Sequence, residues 1–153
     1  MAAGLSLPEA QVESFSKRIT QIAQECLAGV ELVPELAIDY EISLHKLEPK
    51  HIPDILADID QLQPTGNSNP DALFCSRNCK VTRARAVGDG RHLKLTLGAG
   101  DHQFDAIAFN QGHWLNEMPA YVDIAYFFEI NTYQGRQSLQ LNVRDIKASL
   151  KAD

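Results

Sequence analysis

The residues able to hold a metal or act as nucleophiles are three cysteines, Cys26, Cys75 and Cys79, and five histidines. Cys75 and Cys79 form a C-x-x-x-C pair, with no second pair and no histidines at ligand spacing, which is a weak zinc signal. The plainer reading is reduced, partly buried thiols in a cytoplasmic protein. His45, His51 and His102 lie far apart, and no spacing joins them into a ligand set. Asp54, Asp58 and Asp60 are close together but read as a solvated helix face. There is no Gly-rich phosphate loop, no nucleophile elbow and no HExxH. No active site is legible, and no cofactor is expected within this chain.

Charge is more informative. The 153 residues carry a formal net charge of −6, which alone argues against a chain-wide nucleic-acid surface. That average hides a segregation. Residues 1–70 hold four basic and eleven acidic side chains, whereas residues 71–153 hold ten and nine. Between 71 and 100, Arg77, Lys80, Arg83, Arg85, Arg91 and Lys94 face only Asp71 and Asp89. A hydrophobic fraction of 44% is ordinary for a globular chain of one domain, or one small domain plus an appendage. No apolar run is long enough to span a membrane, and no secretory signal follows Met1.

These residues need elements to position them. Ser6 and Glu9 form a capping-box pattern ahead of a helix whose stripe is Val12, Phe15, Ile19, Ile22 and Cys26, ended by Gly29. Leu36, Ile38, Tyr40, Ile42 and Leu44 alternate with small or polar residues, predicting a half-buried strand. A second helix after Pro49 or Pro53 carries Ile52, Ile55, Leu56, Ile59 and Leu62 on one face. Helix, strand and helix cannot close a core alone, so this segment needs a partner surface. Residues 63–70 then read as a linker or surface loop.

From there the pattern is strands only. The expected strands run from about Cys79 to Val87, from His92 to Leu97, from His102 to Phe109, from Tyr121 to Tyr133, and from Arg136 through Val143. A short helical stretch, Asn110 to Glu117, separates the third from the fourth. That order fits a five-stranded OB-fold barrel, giving an α+β chain with an N-terminal helix-strand-helix segment; a generic antiparallel barrel or sandwich is the alternative.

On the OB reading, Leu93, Leu95 and Leu97 fill the barrel and turn His92, Lys94 and Thr96 outward. Arg83, Arg85, Arg91, His92, Lys94, Tyr133 and Arg136 are then the candidates for nucleic-acid binding, cations on phosphates and the aromatic on a base. One conflict stands: Arg83 and Arg85 share a parity with Val81 and Val87, which requires a bulge or a misassignment. Solvated strand exteriors are the plain alternative for these charges. Trp114, beside His113, is expected to plug an open end of the barrel.

Leu62-Gln63-Pro64 followed by Gly66-Asn67-Ser68-Asn69-Pro70 and Phe74 resembles the L-x-P-x-G-x-x-N-P junction of the RecJ-type single-strand-specific exonucleases. Gly90 to Leu95 and Phe104 to Phe109 resemble the second and third strands of that family's OB domain, and residues 1–5 resemble the stretch after the Gly-Gly-His motif of its DHH-associated domain. The resemblance implies a C-terminal piece of a longer enzyme: residues 1–29 ending a DHH-associated domain, 30–70 a connector, and 71–153 the OB domain. The family's manganese or magnesium and its chemistry belong to a DHH domain that has no counterpart here. By the same resemblance the OB domain grips single-stranded DNA for an exonuclease of repair and recombination. It implies as partners the missing catalytic domains and, as a further candidate, the single-stranded DNA-binding protein, so a protein-interaction module is the alternative function.

Overall fold

A computed structural model describes residues 4–30, 33–133 and 135–150, without the side chains of Pro49, Tyr133 and Arg136. The chain divides into two compact units, Met1–Leu36 and Ala37–Asp153. In the first, a 3₁₀ turn at Glu9–Gln11 leads into helix α1, Val12–Cys26. The expected capping box does not form: no side chain caps either start, and Pro8 precedes the turn instead. Proline fixes φ near the helical value and has no N–H to satisfy, so it opens the helix without a polar cap. The apolar stripe forms as expected and is exposed at Val12, Phe15, Ile19 and Ile22. The resemblance noted for residues 1–5 falls partly on residues 1–3, outside the described part.

The second unit is a barrel. Its strands are β1 (Tyr40–Glu41), β2 (Phe74–Val87), β3 (His92–Ala99), β4 (His102–Ala108), β5 (Tyr121–Tyr133) and β6 (Arg136–Ala148), with helix α2 (Ile52–Asp60) between β1 and β2. The order is β1-β2-β3-β4-β6-β5, and β5 returns to pair with β2. Strands β2 to β6 thus close on themselves, with β4 and β6 parallel and the other barrel pairs antiparallel. A 3₁₀ stretch, Gly112–Glu117, lies between the third and fourth barrel strands, which is the OB topology.

The strand expected over Leu36–Leu44 shrinks to Tyr40–Glu41. It pairs in parallel with Phe74 and Cys75, and β3 takes over that edge of β2 from Lys80 onward. There is room for little more than two bridges. Leu36, Ile38 and Tyr40 are exposed, whereas Leu44 enters the core from a 3₁₀ turn at Leu44–Lys46. The first barrel strand also starts earlier than expected, at Phe74 rather than near Cys79, because its leading half pairs with β5.

Alternation decides the core. Leu93, Leu95 and Leu97 are fully buried inside the barrel with Val122, Ile124, Tyr126, Leu141 and Val143. Ile130, on the same parity as Tyr126 and Phe128, is exposed near the end of β5. The connector caps the barrel: Leu44 and Leu47 join the core cluster, and Ile52 and Ile55 of α2 pack against it. This is the partner surface that the α2 face needs. Trp114 also packs against the core. The junction motif folds as a tight loop in which Gly66 and Asn69 exchange backbone hydrogen bonds of 2.7 and 3.1 Å. The Asn69 amide nitrogen donates to the carbonyls of Leu62 and Pro64, at 3.0 and 3.1 Å, so the motif's asparagine holds its own turn.

Candidate nucleic-acid interface

Strand register places the basic residues. Val81 pairs with Leu97 and Arg83 with Thr96, so Thr82 is the extra residue of a β-bulge. The parity conflict at Arg83 and Arg85 resolves here. Upstream of the bulge Val81 packs against the core, and downstream Ala84 and Ala86 pair with the buried Leu95 and Leu93. Arg83 and Arg85 therefore turn outward beside Thr96 and Lys94. Lys80, three residues before Arg83, lands on the same face because the bulge absorbs one residue. Thr82 is itself fixed: its hydroxyl donates to the Thr96 carbonyl at 2.9 Å.

The face continues across β4 and β6. Lys94 pairs with Ile107, Ile107 with Asn142, and Asn142 with Phe127 of β5. Ile107 points away from the core yet is buried under the outer side chains. Asp105, opposite Thr96, brings a carboxylate to 3.8 Å from the Lys94 ammonium and tempers its charge. At the far side the Arg144 guanidinium lies 5.6 Å from the centroid of the Phe127 ring.

The other candidates have different surroundings. Arg91 is exposed beside the β2–β3 turn, its Nε donating weakly to the Gly88 carbonyl at 3.4 Å. His92 is a brace: its Nδ1 accepts the Asn110 backbone N–H at 3.0 Å, and its ring meets Phe109 edge-on. Tyr133 and Arg136 face each other in the register of the β5–β6 hairpin, but their side chains lie outside the described residues. By the parallel pairing of Asp105 with Gln140, that hairpin sits at the β3–β4 end of the barrel, away from Arg91 and His92. The seven candidates thus span the barrel from end to end. Arg77, also within the basic stretch, is engaged by Glu41 at 3.0 Å.

Sequence reasoning missed Lys80 and the Phe127–Arg144 pair. The signal for Lys80 was its three-residue spacing from Arg83 across a suspected bulge. Phe127 was hidden between two aromatics of the opposite parity. A groove of about 640 Å³ lies over this pair, bordered by Gly66, Pro70 and Asp71 of the junction loop. Among the described residues, titration is shifted at one exposed group, where the hydrogen bond to Glu41 raises the Arg77 guanidinium, and otherwise at groups near the core. Burial pushes the Cys79 thiol up to about 12 and raises the Tyr126 hydroxyl and the Cys75 thiol. Among the described residues no group of three His, Cys, Asp or Glu side chains could hold a metal ion.

The chain is 33% identical over 150 residues to the single-stranded-DNA-specific exonuclease RecJ of Salmonella typhimurium, covering 95% of this chain and 25% of that protein. It is 27% identical to RecJ of Bacillus subtilis, covering 97% of this chain and 19% of that one. A crystal structure of RecJ from Thermus thermophilus in complex with Mn²⁺ matches 97% of this chain and 21% of that chain, at 25% identity and a TM-score of 0.74. The chain therefore spans a quarter or less of the length of these relatives. The RecJ OB domain profile matches residues 38–145, so the chain belongs to the RecJ OB domain family.

Proposed function

We propose that this chain is the single-stranded-DNA-binding portion of a RecJ-type 5′-to-3′ single-strand-specific exonuclease of DNA repair and recombination, working in the cytoplasm. The observation that carries the reading is the Thr82 bulge, which sets Arg83 and Arg85 outward beside Lys94. A strand crossing this face meets cations for its phosphates; the relatives act on single-stranded DNA by name. Arg91 extends the positive surface at one end, and Tyr133 and Arg136 are proposed to extend it at the other. The strand is held here while hydrolysis takes place on the parent's catalytic DHH domain. Thermus RecJ is known in complex with Mn²⁺ and with Mg²⁺, and by the family resemblance such a metal is assigned to that domain. Residues 1–29 are read as the end of a DHH-associated domain, 30–70 as a connector and 71–153 as the OB domain.

The test is fluorescence anisotropy of the 153-residue chain with a single-stranded oligonucleotide and its duplex at low salt. Binding that favours the single strand is expected, without nucleotide release when manganese is added. Equal or absent binding of both forms would refute the reading.

One observation favours a second role, docking. Val12 and Ile19 on the stripe of α1 are 52% and 49% exposed, an unusual state for an amphipathic helix. The proposed occupant is the parent's catalytic core. For the single-stranded DNA-binding protein, a pull-down against its tail-deleted form decides whether its acidic tail is the contact.

A further inference from the structure

The connector brings a histidine onto the barrel. Leu44 and Leu47, 2% and 5% exposed, are anchored in the core on either side of His45. His45 is thereby held over the end of the sheet where β2, β3 and β4 meet. There it lines a cleft of about 360 Å³ with Lys80, Gly98, Asp101, His102 and Tyr121, residues drawn from every element around it. Two of the three histidines that sequence spacing could not relate, His45 and His102, line the same cleft.

Register explains why the cleft is open. Lys80 pairs with Gly98 on one side and Tyr121 on the other, so all three lie in one row of the outer face. A side chain in place of Gly98 would fill the space beside Lys80 in that row. A Cβ there would come within 2.9 Å of the Thr82 methyl, so the bulge and the glycine fit each other. The Lys80 ammonium has no carboxylate within ion-pair distance among the described residues, and it stands in line with Arg83 and Arg85.

The chemistry of this lining is that of a phosphate site. Lys80 supplies a fixed positive charge, two imidazoles and the Tyr121 phenol supply further donors, and Asp101 is the opposing charge. With neutral imidazoles, Lys80 and Asp101 cancel. With both imidazoles charged the cleft carries a net +2. Histidine is the side chain whose protonation generally makes anion binding depend on pH.

We infer that the His45–Lys80–His102–Tyr121 cleft binds a phosphate group of the DNA strand, extending the Arg83–Arg85–Lys94 track toward the β3–β4 turn, with an affinity that rises as the two histidines become charged. The inference rests on the single-strand-binding reading above and adds to it a site and a pH dependence.

The experiment measures anisotropy of a fluorescent oligonucleotide ending in a 5′-hydroxyl or a 5′-phosphate, at fixed ionic strength, at pH 8 and pH 6. Wild-type affinity is expected to rise about fivefold at the lower pH. His45→Gln/His102→Gln should lose most of that gain, whereas His51→Gln/His113→Gln should keep it. Lys80→Gln should weaken binding at both pH values. Equal gains with both termini assign an internal phosphodiester to the cleft, and a gain confined to the phosphorylated oligonucleotide assigns the terminal phosphate. Titration of the free protein with inorganic phosphate, followed by the His45 and His102 imidazole resonances, reads the site without DNA and is expected to shift both. Tight binding without a pH gain, or a gain that survives His45→Gln/His102→Gln, overturns the cleft and leaves the parent reading intact. Loss of all single-strand binding at both pH values overturns both.

Discussion

The Lys94 ammonium and the Asp105 carboxylate approach to 3.8 Å on the outer face of the barrel, inside the row of basic residues. Both side chains are partly exposed, so the pair is worth little to stability. Its consequence is electrostatic: a negative charge stands on the path proposed for the strand's phosphates. Asp105→Asn is expected to tighten single-strand binding about twofold to threefold at low salt, with the gain fading as salt screens the face. Anisotropy titrations at two ionic strengths check this.

Ser76 is the buried polar joint between connector and barrel. Its hydroxyl donates to the Ile42 carbonyl at 2.7 Å, which commits its only proton, so the Tyr126 hydroxyl at 3.0 Å must donate to Ser76. Ser76→Ala leaves the Tyr126 hydroxyl unpaired in the core and takes the side-chain donor from the Ile42 carbonyl, whereas Tyr126→Phe removes the hydroxyl cleanly. Urea unfolding should show a loss of about 2–3 kcal/mol for Ser76→Ala and about 1 kcal/mol for Tyr126→Phe.

Gly112 sits where the 3₁₀ stretch meets the β2–β3 turn, its N–H bonded to the Arg91 carbonyl at 3.0 Å. A Cβ at this position would overlap the Gly90 carbonyl, and backbone cannot swing aside as a side chain can. Gly112→Ala is expected to cost about 2–4 kcal/mol, read as a lowered melting temperature. Gly135→Ala is expected to cost less: it meets no atom within 4 Å, and its penalty is only that of a positive φ of 76°.

Burial raises the Cys79 thiol from an ordinary 9.0 to about 12. The unfolded chain ionises first, so the associated stability is fully present below pH 9 and is lost as pH rises from 9 toward 12. Thermal melts should be insensitive to this group from about pH 6 to 8 and should decline above about pH 9, less steeply in Cys79→Ala once its lower baseline is subtracted. Under native conditions a thiol reagent should modify the exposed Cys26 quickly and leave Cys79 untouched until unfolding.

Much of the barrel was legible because period-two alternation is local. Leu93, Leu95 and Leu97 announced their strand and its inner face, and all three are fully buried. The bulge was legible only as a contradiction, since Val81, Arg83, Arg85 and Val87 could not share one face of a regular strand. Which residue was extra depends on cross-strand register, a long-range property. The alternation at Leu36–Leu44 misled for a related reason: propensity makes a segment extended, but the free edge of β2 sets how much of it can pair. The site divided along the same line. Outward placement of Lys94 followed from strand parity and that of Arg83 and Arg85 needed the register at the bulge, whereas the shared cleft of His45 and His102 needed the connector to fold back on the barrel.

The proposed single-strand binding depends on the cations that the Thr82 bulge sets outward, and its salt dependence measures their part in it. Wild-type and Arg83→Ala/Arg85→Ala chains would be titrated with a single-stranded oligonucleotide from about 50 to 200 mM salt. Every phosphate left without its cation should reduce the log–log slope by about 0.7. If these cations hold the strand, the double variant binds more weakly, with a slope lower by about one to one and a half. An unchanged affinity and slope would contradict that role.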